Sequence, residues 1–425
     1  MNRRELLALA GALGFAPGLA LAAEDPPATI ARDAWLFALP WIEMATTRAR
    51  VLKRGAQPNR IYHRRKLSDH TDRSVTTPNN DTLYSLAWID LTQGPVTLTI
   101  PPSGKRYVSA AILNMFTDND AVLGTRVNGG EGGVFTIVGP GQSLEGDRVV
   151  RVLTPHAWVL VRTLVDGPND MAAARAVQSG FKVSGPKAAK PPAYLERDAE
   201  PEAYFATARA LLAADPPRAA DAAFVQRAAG LLTEGPFDAA ALAAGVAQAK
   251  AIARVASGRV AFVGGWSYPK LNLGFHGVDY GYRAIVALQG LGALPVAEAM
   301  YMKAGGDNDT GLYNGDGLYR LTLPAQLPLD GFWSLSMYEA TPDGQYFFTD
   351  NPIDRYAIGD RTPGLKRQAD GTLDLWISRT DPGGDRSANW LPAPRLGPFS
   401  MTLRTYLPRA ELLNGQFRFA PIVKV

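Results

Sequence analysis

The sequence predicts a multidomain α+β protein in which a β region is followed by a helical region and then by a second β region. Three changes along the 425 residues support this order. Residues 75–164 form short alternating apolar runs separated by Gly and Pro, which is typical of a β-sandwich or barrel. Residues 168–258 are rich in Ala, the residue with the highest helix propensity. Short alternating runs return after residue 313.

The first predicted element after the N-terminus is a helix from about Ala28 to Lys53, within a segment 23–60 that also includes a connector. Its apolar residues, among them Trp35 and Leu39, recur mostly at helical spacing. Pro40 lacks a backbone donor and is therefore expected to kink or divide this helix.

The next three regions are assigned to residues 61–167, 168–302 and 303–425. Strands predicted in the first of them are Val96–Ile100, Tyr107–Leu113, Val134–Val138, Val149–Leu153 and Trp158–Leu164. Helices predicted in the second are Met171–Ser179, Pro201–Leu212, Pro217–Leu232, Phe237–Ala256 and a helix from Tyr282 to about Met302. Strands predicted in the third are Leu318–Leu323, Phe332–Tyr338, Leu373–Ile377 and Phe399–Tyr406.

Residues 1–22 have the features of an export signal. Arg3 and Arg4 precede a short apolar stretch that ends in Ala20-Leu21-Ala22. A basic start, an apolar core and small residues at the end are typical of a cleaved signal peptide. The adjacent arginines fit the twin-arginine type. We therefore expect a mature protein that begins near Ala23 and is periplasmic or secreted.

The composition argues against nucleic-acid partners, membrane spans and cysteine-based sites. The chain has 44 Lys and Arg and 40 Asp and Glu, and removal of Arg3, Arg4 and Glu5 with the signal leaves 42 and 39. This near-neutral balance, without a concentrated basic patch, does not indicate nucleic-acid binding. No other segment has the roughly 20 apolar residues of a membrane span. The absence of Cys excludes disulfides and thiolate metal sites.

The run Pro78-Asn79-Asn80-Asp81 precedes an alternating segment, Leu83–Leu91, that is predicted to be a strand. Asn and Asp after a proline form turns, because their side chains hydrogen-bond the nearby backbone. The three polar side chains should therefore lie together at a sheet edge or loop tip, where functional sites are often found. A purely structural Asx turn is the alternative.

Familiar catalytic and metal-binding motifs are absent. The sequence contains no His-Glu-x-x-His motif and no phosphate-binding loop, and its four histidines are scattered. No metal site and no cofactor are predicted. Calcium is the one option kept open, because residues 118–120 and 307–309 both read Asp-Asn-Asp, although neither stretch continues as the twelve-residue calcium loop.

Two longer signatures resemble known families. The run Thr76–Leu91, followed by residues 101–107, resembles domain of unknown function 1254. The run Phe332–Tyr338 and the stretch Asn389–Pro394 resemble its usual C-terminal partner in exported bacterial proteins, domain of unknown function 1214. The resemblance implies an N-terminal immunoglobulin-like β-sandwich, a middle helical domain and a C-terminal jelly-roll-like β domain. It implies no established reaction.

The predicted function is binding of a small-molecule or sugar-like ligand in a pocket that the Asn79–Asp81 turn and the C-terminal domain share. Aromatic rings offer flat apolar faces, and amide or guanidinium groups orient polar ligands. The predicted ligand-binding residues are Asn79, Asn80, Tyr338, Asn351, Tyr356, Trp390 and Arg404.

If the protein is an enzyme, hydrolysis by acid/base chemistry is expected. Asp81 would transfer the proton and Tyr84 would donate a hydrogen bond. The competing hypothesis is a non-catalytic structural or assembly module in which the Asn79–Asp81 turn only supports folding and domain docking. A homo-oligomer is also expected, since sheet edges and apolar helix faces need cover.

Overall fold

A computed structural model describes residues 26–256 and 261–425, except residues 193, 195, 234, 236 and 343. The export signal predicted for residues 1–22 lies outside the described residues. The fold is mixed α+β, with several sheets that are mostly antiparallel. The immunoglobulin-like and jelly-roll-like assignments, and the predicted oligomer, stay predictions.

The helices of the described residues follow the predicted helical segments in most cases. The α-helices are α1 Pro27–Lys53, α2 Thr125–Asn128, α3 Met171–Gly180, α4 Pro201–Ala214, α5 Ala222–Arg227, α6 Ala229–Leu232, α7 Ala239–Ala256, α8 Tyr280–Gln289 and α9 Ala410–Leu413. Short 3₁₀ helices are formed by Ala219–Asp221, Asp307–Asp309 and Gly384–Asn389. No helix among these residues is long and apolar enough to cross a membrane.

Helix α1 is buried along most of its length and packs against α4, α7 and α8. The Trp35 ring stacks on Tyr204 of α4, with ring centroids 5.3 Å apart. Pro40 lies inside the helix without dividing it. Of the two effects expected of Pro40, division of the helix does not occur, because packing around α1 supports a continuous helix despite the missing donor. A kink at Pro40 stays a prediction.

The first β region contains two sheets. Its strands are β1 Tyr62–His63, β2 Thr82–Asp90, β3 Val96–Ile100, β4 Val108–Asn114, β5 Asn119–Gly124, β6 Gly133–Val138, β7 Val149–Arg151, β8 His156–Leu164 and β9 Lys182–Ser184. One sheet has the order β1-β2-β8-β4-β5 and the other has the order β7-β6-β3-β9.

Alternating side chains give the larger of these sheets two buried faces. Val159 and Val161 of β8 belong to an apolar core that also contains Leu98 of β3, so the two sheets share this core. Trp158 and Leu160 point to the opposite face, because successive residues of a strand alternate, and they join the core around α1. Strand β8 is therefore covered on both sides.

The second β region also contains two sheets around one core. Its strands are β10 Trp266–Ser267, β11 Ala299–Ala304, β12 Tyr319–Leu323, β13 Trp333–Ala340, β14 Tyr346–Phe347, β15 Ala357–Gly359, β16 Leu373–Ser378, β17 Trp390–Pro392, β18 Phe399–Tyr406 and β19 Val423–Lys424. One sheet has the order β10-β11-β18-β13-β14, with β15 also paired to β13, and the other has the order β17-β16-β12-β19.

The predicted helix from Tyr282 to Met302 is wrong in its second half. Helix α8 ends at Gln289, and the chain forms β11 from Ala299. The cap residue Gly290 leaves helical geometry with φ of −154° and ψ of 41°. Gly292 then takes a left-handed φ of 82°, which favours glycine. The predicted helix Pro217–Leu232 is also interrupted, since it consists of a 3₁₀ turn followed by α5 and α6.

Candidate functional site

The Asx turn expected at Asn79–Asp81 is present immediately before β2. The Asn79 side-chain oxygen accepts a hydrogen bond from the Asp81 backbone N–H at 2.6 Å. Thr77 has a φ of 47°, which is rare for a β-branched residue. Local side-chain bonding and an unusual backbone angle therefore define this turn, as its residue types indicate.

Asp81 is buried, with 6% of its surface exposed. One carboxylate oxygen accepts a hydrogen bond from the Ser334 hydroxyl at 2.6 Å. The other accepts from the Arg361 guanidinium at 2.8 Å. Both donors belong to the second β region, so Asp81 joins the two β regions and both of its oxygens are occupied.

Strands β13 and β18 bind the rest of the turn. The Asn79 amide donates to the Tyr406 hydroxyl at 2.7 Å. The Tyr338 hydroxyl donates to the Pro78 carbonyl at 2.7 Å. Arg404 donates to the carbonyl of Thr77 at 3.0 Å. The turn is therefore held mostly by side chains of the second β region.

These side chains share one face of the sheet because of the strand register. Ser334 of β13 pairs with Arg404 of β18, and the residues two positions along each strand lie on the same face. The opposite face belongs to the apolar core of this region. We call the first face the polar face. It consists of Ser334, Ser336, Tyr338, Ser400, Thr402, Arg404 and Tyr406.

Arg162 of β8 lies on the facing sheet, opposite Tyr84 in register, and only 5% of its surface is exposed. Its guanidinium lies over the Tyr84 ring, 5.4 Å from the centroid. Nη2 donates to the Gly292 carbonyl at 2.8 Å. Nη1 has no hydrogen-bond partner among the described residues. Four tyrosines surround this cation: Tyr84, Tyr301, Tyr406 and Tyr107.

The buried carboxylate of Glu298 is engaged by other groups. It accepts hydrogen bonds from the Tyr107 hydroxyl at 2.9 Å and from Arg126 at 2.6 Å. Burial raises the pKa of Glu298 above its ordinary value. Glu298 therefore forms no direct hydrogen bond with the Arg162 guanidinium, although the two charges interact at longer range.

The structure brings some of the predicted site residues together and separates others. Asn79, Asp81, Tyr338 and Arg404 meet at the junction of the two β regions. Tyr84 lies beneath Arg162, and Asn80 is half-buried in the turn.

The other predicted residues lie in different surroundings. The Asn351 side chain accepts from the Arg355 backbone N–H at 2.9 Å and shapes its own loop. The Trp390 indole donates to the Ser378 carbonyl at 3.0 Å, in the sheet that does not include β13 and β18. The Tyr356 hydroxyl lies 2.7 Å from His70 Nδ1.

Arg162, Arg361, Tyr301 and Tyr406 are not among the site residues predicted from the sequence. The alternation of Ser334-Leu335-Ser336 and of its partner strand was visible in the sequence. It indicates a polar face but normally predicts exposure to solvent. Only the packing of the two β regions shows that this face is buried.

The first acidic stretch considered for calcium is engaged in protein contacts. Asp118 is hydrogen-bonded to His276 at 2.9 Å and pairs with Arg283 at 3.2 Å. Asp120 accepts hydrogen bonds from the Asn114 amide and the Leu153 backbone, and burial raises its pKa to about 7. Calcium binding at these stretches stays a prediction.

Comparison with known proteins agrees with the two signatures. Residues 58–185 match the family model described as protein of unknown function (DUF1254). Residues 298–410 match the model described as protein of unknown function (DUF1214). The chain carries a DUF1254 region followed by a DUF1214 region. The first includes β1–β9 and the second includes β11–β18.

The fold also resembles solved structures. The crystal structure of the VPA0106 protein from Vibrio parahaemolyticus matches with a TM-score of 0.70 and 19% identity, covering 94% of this chain and 100% of that one. An uncharacterized protein from Burkholderia cenocepacia matches with a TM-score of 0.47 and 16% identity, covering 95% and 91%. The first likeness shows a shared fold alone. No curated protein matches the chain.

Proposed function

We propose that this protein binds a small organic anion between the DUF1254 and DUF1214 regions, with Arg162 as the anchor. The observation that supports the proposal is the Arg162 guanidinium, which is buried and has one nitrogen without a hydrogen-bond partner among the described residues. Buried polar groups are almost always hydrogen-bonded, so an orphaned donor indicates a missing partner. A ligand carboxylate or phosphate oxygen is the partner that matches a guanidinium.

The charge balance supports an anionic ligand. Arginine stays charged at all ordinary pH values, and an unpaired buried charge costs several kcal/mol. The Gly292 carbonyl supplies only a dipole, and Glu298 is bonded to Arg126 instead. An anion bound to Arg162 would therefore offset a cost that the apo protein has to bear.

The surrounding tyrosines indicate the rest of the ligand. Tyr84 and Tyr301 are half-buried, so the cluster retains some accessible surface. Tyrosine rings pack against flat apolar or sugar-like faces, and their hydroxyls hydrogen-bond polar substituents. The ligand class that fits is an aromatic or hydroxylated acid.

The competing structural hypothesis has support of its own at the turn. Asp81 is buried and bonded to Ser334 and Arg361, which suits a residue that joins two domains. Within our proposal, the Asn79–Asp81 turn keeps the two regions in place around the ligand. Hydrolysis with Asp81 as the proton-transfer group and Tyr84 as a hydrogen-bond donor is the alternative, and loss of turnover in Asp81→Asn at unchanged stability would favour it.

A thermal-shift screen of the mature protein with aromatic, hydroxylated and phosphorylated acids tests the proposal. A ligand that binds the folded state raises the melting temperature, by an amount that grows with its concentration over Kd. The Arg162→Met variant should lose this rise for every hit. Arg148→Gln removes the same charge at an exposed position and should retain the rise.

The melting temperatures of Arg162→Met and the wild type without ligand give a second test of the proposal. Arg162→Met removes an unpaired buried charge, so we expect the variant to be as stable as the wild type or more stable. Hits that bind Arg162→Met and wild type equally would refute the anchor role. A strongly destabilised variant would instead favour a structural role for Arg162.

We also propose, from the family resemblance, that the two β regions are immunoglobulin-like and jelly-roll-like, and that the protein is exported. The twin arginines Arg3 and Arg4 support export by the twin-arginine route. Replacing both with Lys should retain the precursor inside the cell, whereas secretion at the wild-type level would contradict this route.

A further inference from the structure

We propose that His70, Asp350 and Asp354 form a binding site for a divalent transition-metal ion at the boundary between the two β regions. This site is separate from the anion site proposed at Arg162. The DUF1254 region supplies His70, and the DUF1214 region supplies both carboxylates.

The three side chains converge although they are distant in sequence. One ring nitrogen of His70 and one oxygen of each carboxylate lie within 4.8 Å of one another. A single ion bonded to three ligands at about 2.0–2.2 Å keeps those ligand atoms no more than about 4.4 Å apart, so the three groups are close to a ligating arrangement. His70 is half-buried and both aspartates are exposed, so the site is open to solvent. The fold thus brings together one imidazole and two carboxylates from opposite sides of a domain boundary.

A tyrosine fixes the histidine in the way that outer-shell residues do in metal sites. His70 Nδ1 lies 2.7 Å from the Tyr356 hydroxyl, which donates to Asp354 at 3.2 Å. The Tyr356 hydroxyl therefore bridges the imidazole ring and the Asp354 carboxylate. Histidines that bind metals usually donate their other ring N–H to such a partner. The hydrogen bonds thus orient the imidazole and also tie it to one of the carboxylates.

The negative charge of the two aspartates is not offset by basic side chains. Among the described residues, no Lys or Arg forms an ion pair with Asp350 or Asp354. Arg355, the cation next to Asp354 in sequence, donates instead to the backbone carbonyls of Ala388 and Trp390. Two adjacent carboxylates repel each other, and a divalent cation between them would remove this repulsion.

The donor set indicates the class of metal. Imidazole favours transition metals such as Zn²⁺, whereas Ca²⁺ and Mg²⁺ prefer sites made only of oxygen ligands. Three protein ligands with access to solvent leave a fourth position for water, which is the arrangement of open zinc sites. Zn²⁺ is therefore the probe of choice, and Ca²⁺ is the comparison.

Isothermal titration of Zn²⁺ into untagged, chelator-treated mature protein at pH 7.5 tests the site. We expect one ion per chain, and affinity that falls as the pH is lowered, because protons compete with the metal for its ligands. His70→Asn and Asp350→Asn should each weaken binding at least about tenfold, since each removes a direct ligand. Asp370→Asn removes one charge at an exposed turn elsewhere and should bind Zn²⁺ like the wild type.

Two results would overturn the proposal. These are an absence of Zn²⁺ binding, or binding of Zn²⁺ to His70→Asn within about twofold of wild type. Circular dichroism of the metal-free variants checks that each variant is folded before its Zn²⁺ binding is compared. Because Asp350 is exposed, Asp350→Asn should fold normally even if His70→Asn loses the Tyr356 contact and does not fold.

Discussion

The ion pair between Asp81 and Arg361 gives the sharpest prediction about how the two β regions are held together. The pair is 2.8 Å long, and the exposed fractions of its side chains are 5% and 14%. Asp81→Asn leaves the Arg361 charge without its buried partner and weakens the Ser334 hydrogen bond. Removing one member of a buried pair typically costs 3–5 kcal/mol. Because asparagine can still accept one hydrogen bond, we expect a loss of about 3 kcal/mol.

A double-mutant cycle separates the pair from the surrounding packing. Arg361 also lies over the Phe332 ring, 4.1 Å from its centroid, and contacts Asp360. Arg361→Met retains most of the apolar contact and leaves Asp81 buried and unpaired. The double variant has no unpaired charge in the pair, so its loss should be smaller than the sum of the single losses by about 2 kcal/mol.

Urea unfolding monitored by tryptophan fluorescence measures these losses. The matched control is Asp330→Asn, which breaks an ion pair with Arg409 whose side chains are 63% and 53% exposed. An exposed pair contributes less than about 1 kcal/mol. A loss below about 0.5 kcal/mol in Asp81→Asn, or strictly additive single losses, would refute the docking role of Asp81.

Three further predictions concern burial, pH and backbone geometry. Tyr338→Phe should cost about 1 kcal/mol in urea unfolding, because the Pro78 carbonyl loses one buried donor; an unchanged midpoint would contradict this. Asp120 has a folded pKa of about 7, above its ordinary value, so the folded state binds the proton more tightly and stability falls as pH rises from about 4 to 7. Asp120→Asn should therefore gain stability relative to wild type across that window, and a constant difference would refute it. Gly292→Ala should destabilise the protein by about 3 kcal/mol, because φ is 82° and the added Cβ would lie 2.8 Å from the Leu160 side chain. A melting temperature equal to that of the wild type would exclude this strain.

Much of the local structure was predictable because it depends on short-range chemistry. The Asx turn follows from Asn79 and Asp81 after a proline, and β3 and β18 occur at their predicted bounds, Val96–Ile100 and Phe399–Tyr406. Where a local sequence signal opposed a secondary-structure element, tertiary packing determined whether the element formed. Pro40 did not divide α1, because the surrounding helices support the helix on all sides.

The sequence by itself determined the α+β class, the turn at Asn79–Asp81 and the two domain signatures, because these depend on residue spacing within one segment. Only the tertiary structure decided what lies opposite the turn. The partners of Asp81 are Ser334 and Arg361, more than 250 positions away. Burial of Arg162, and the approach of His70 to Asp354, likewise arise when the two β regions pack together. No local pattern encodes such contacts, because each strand specifies which residues share a face but not which surface covers that face.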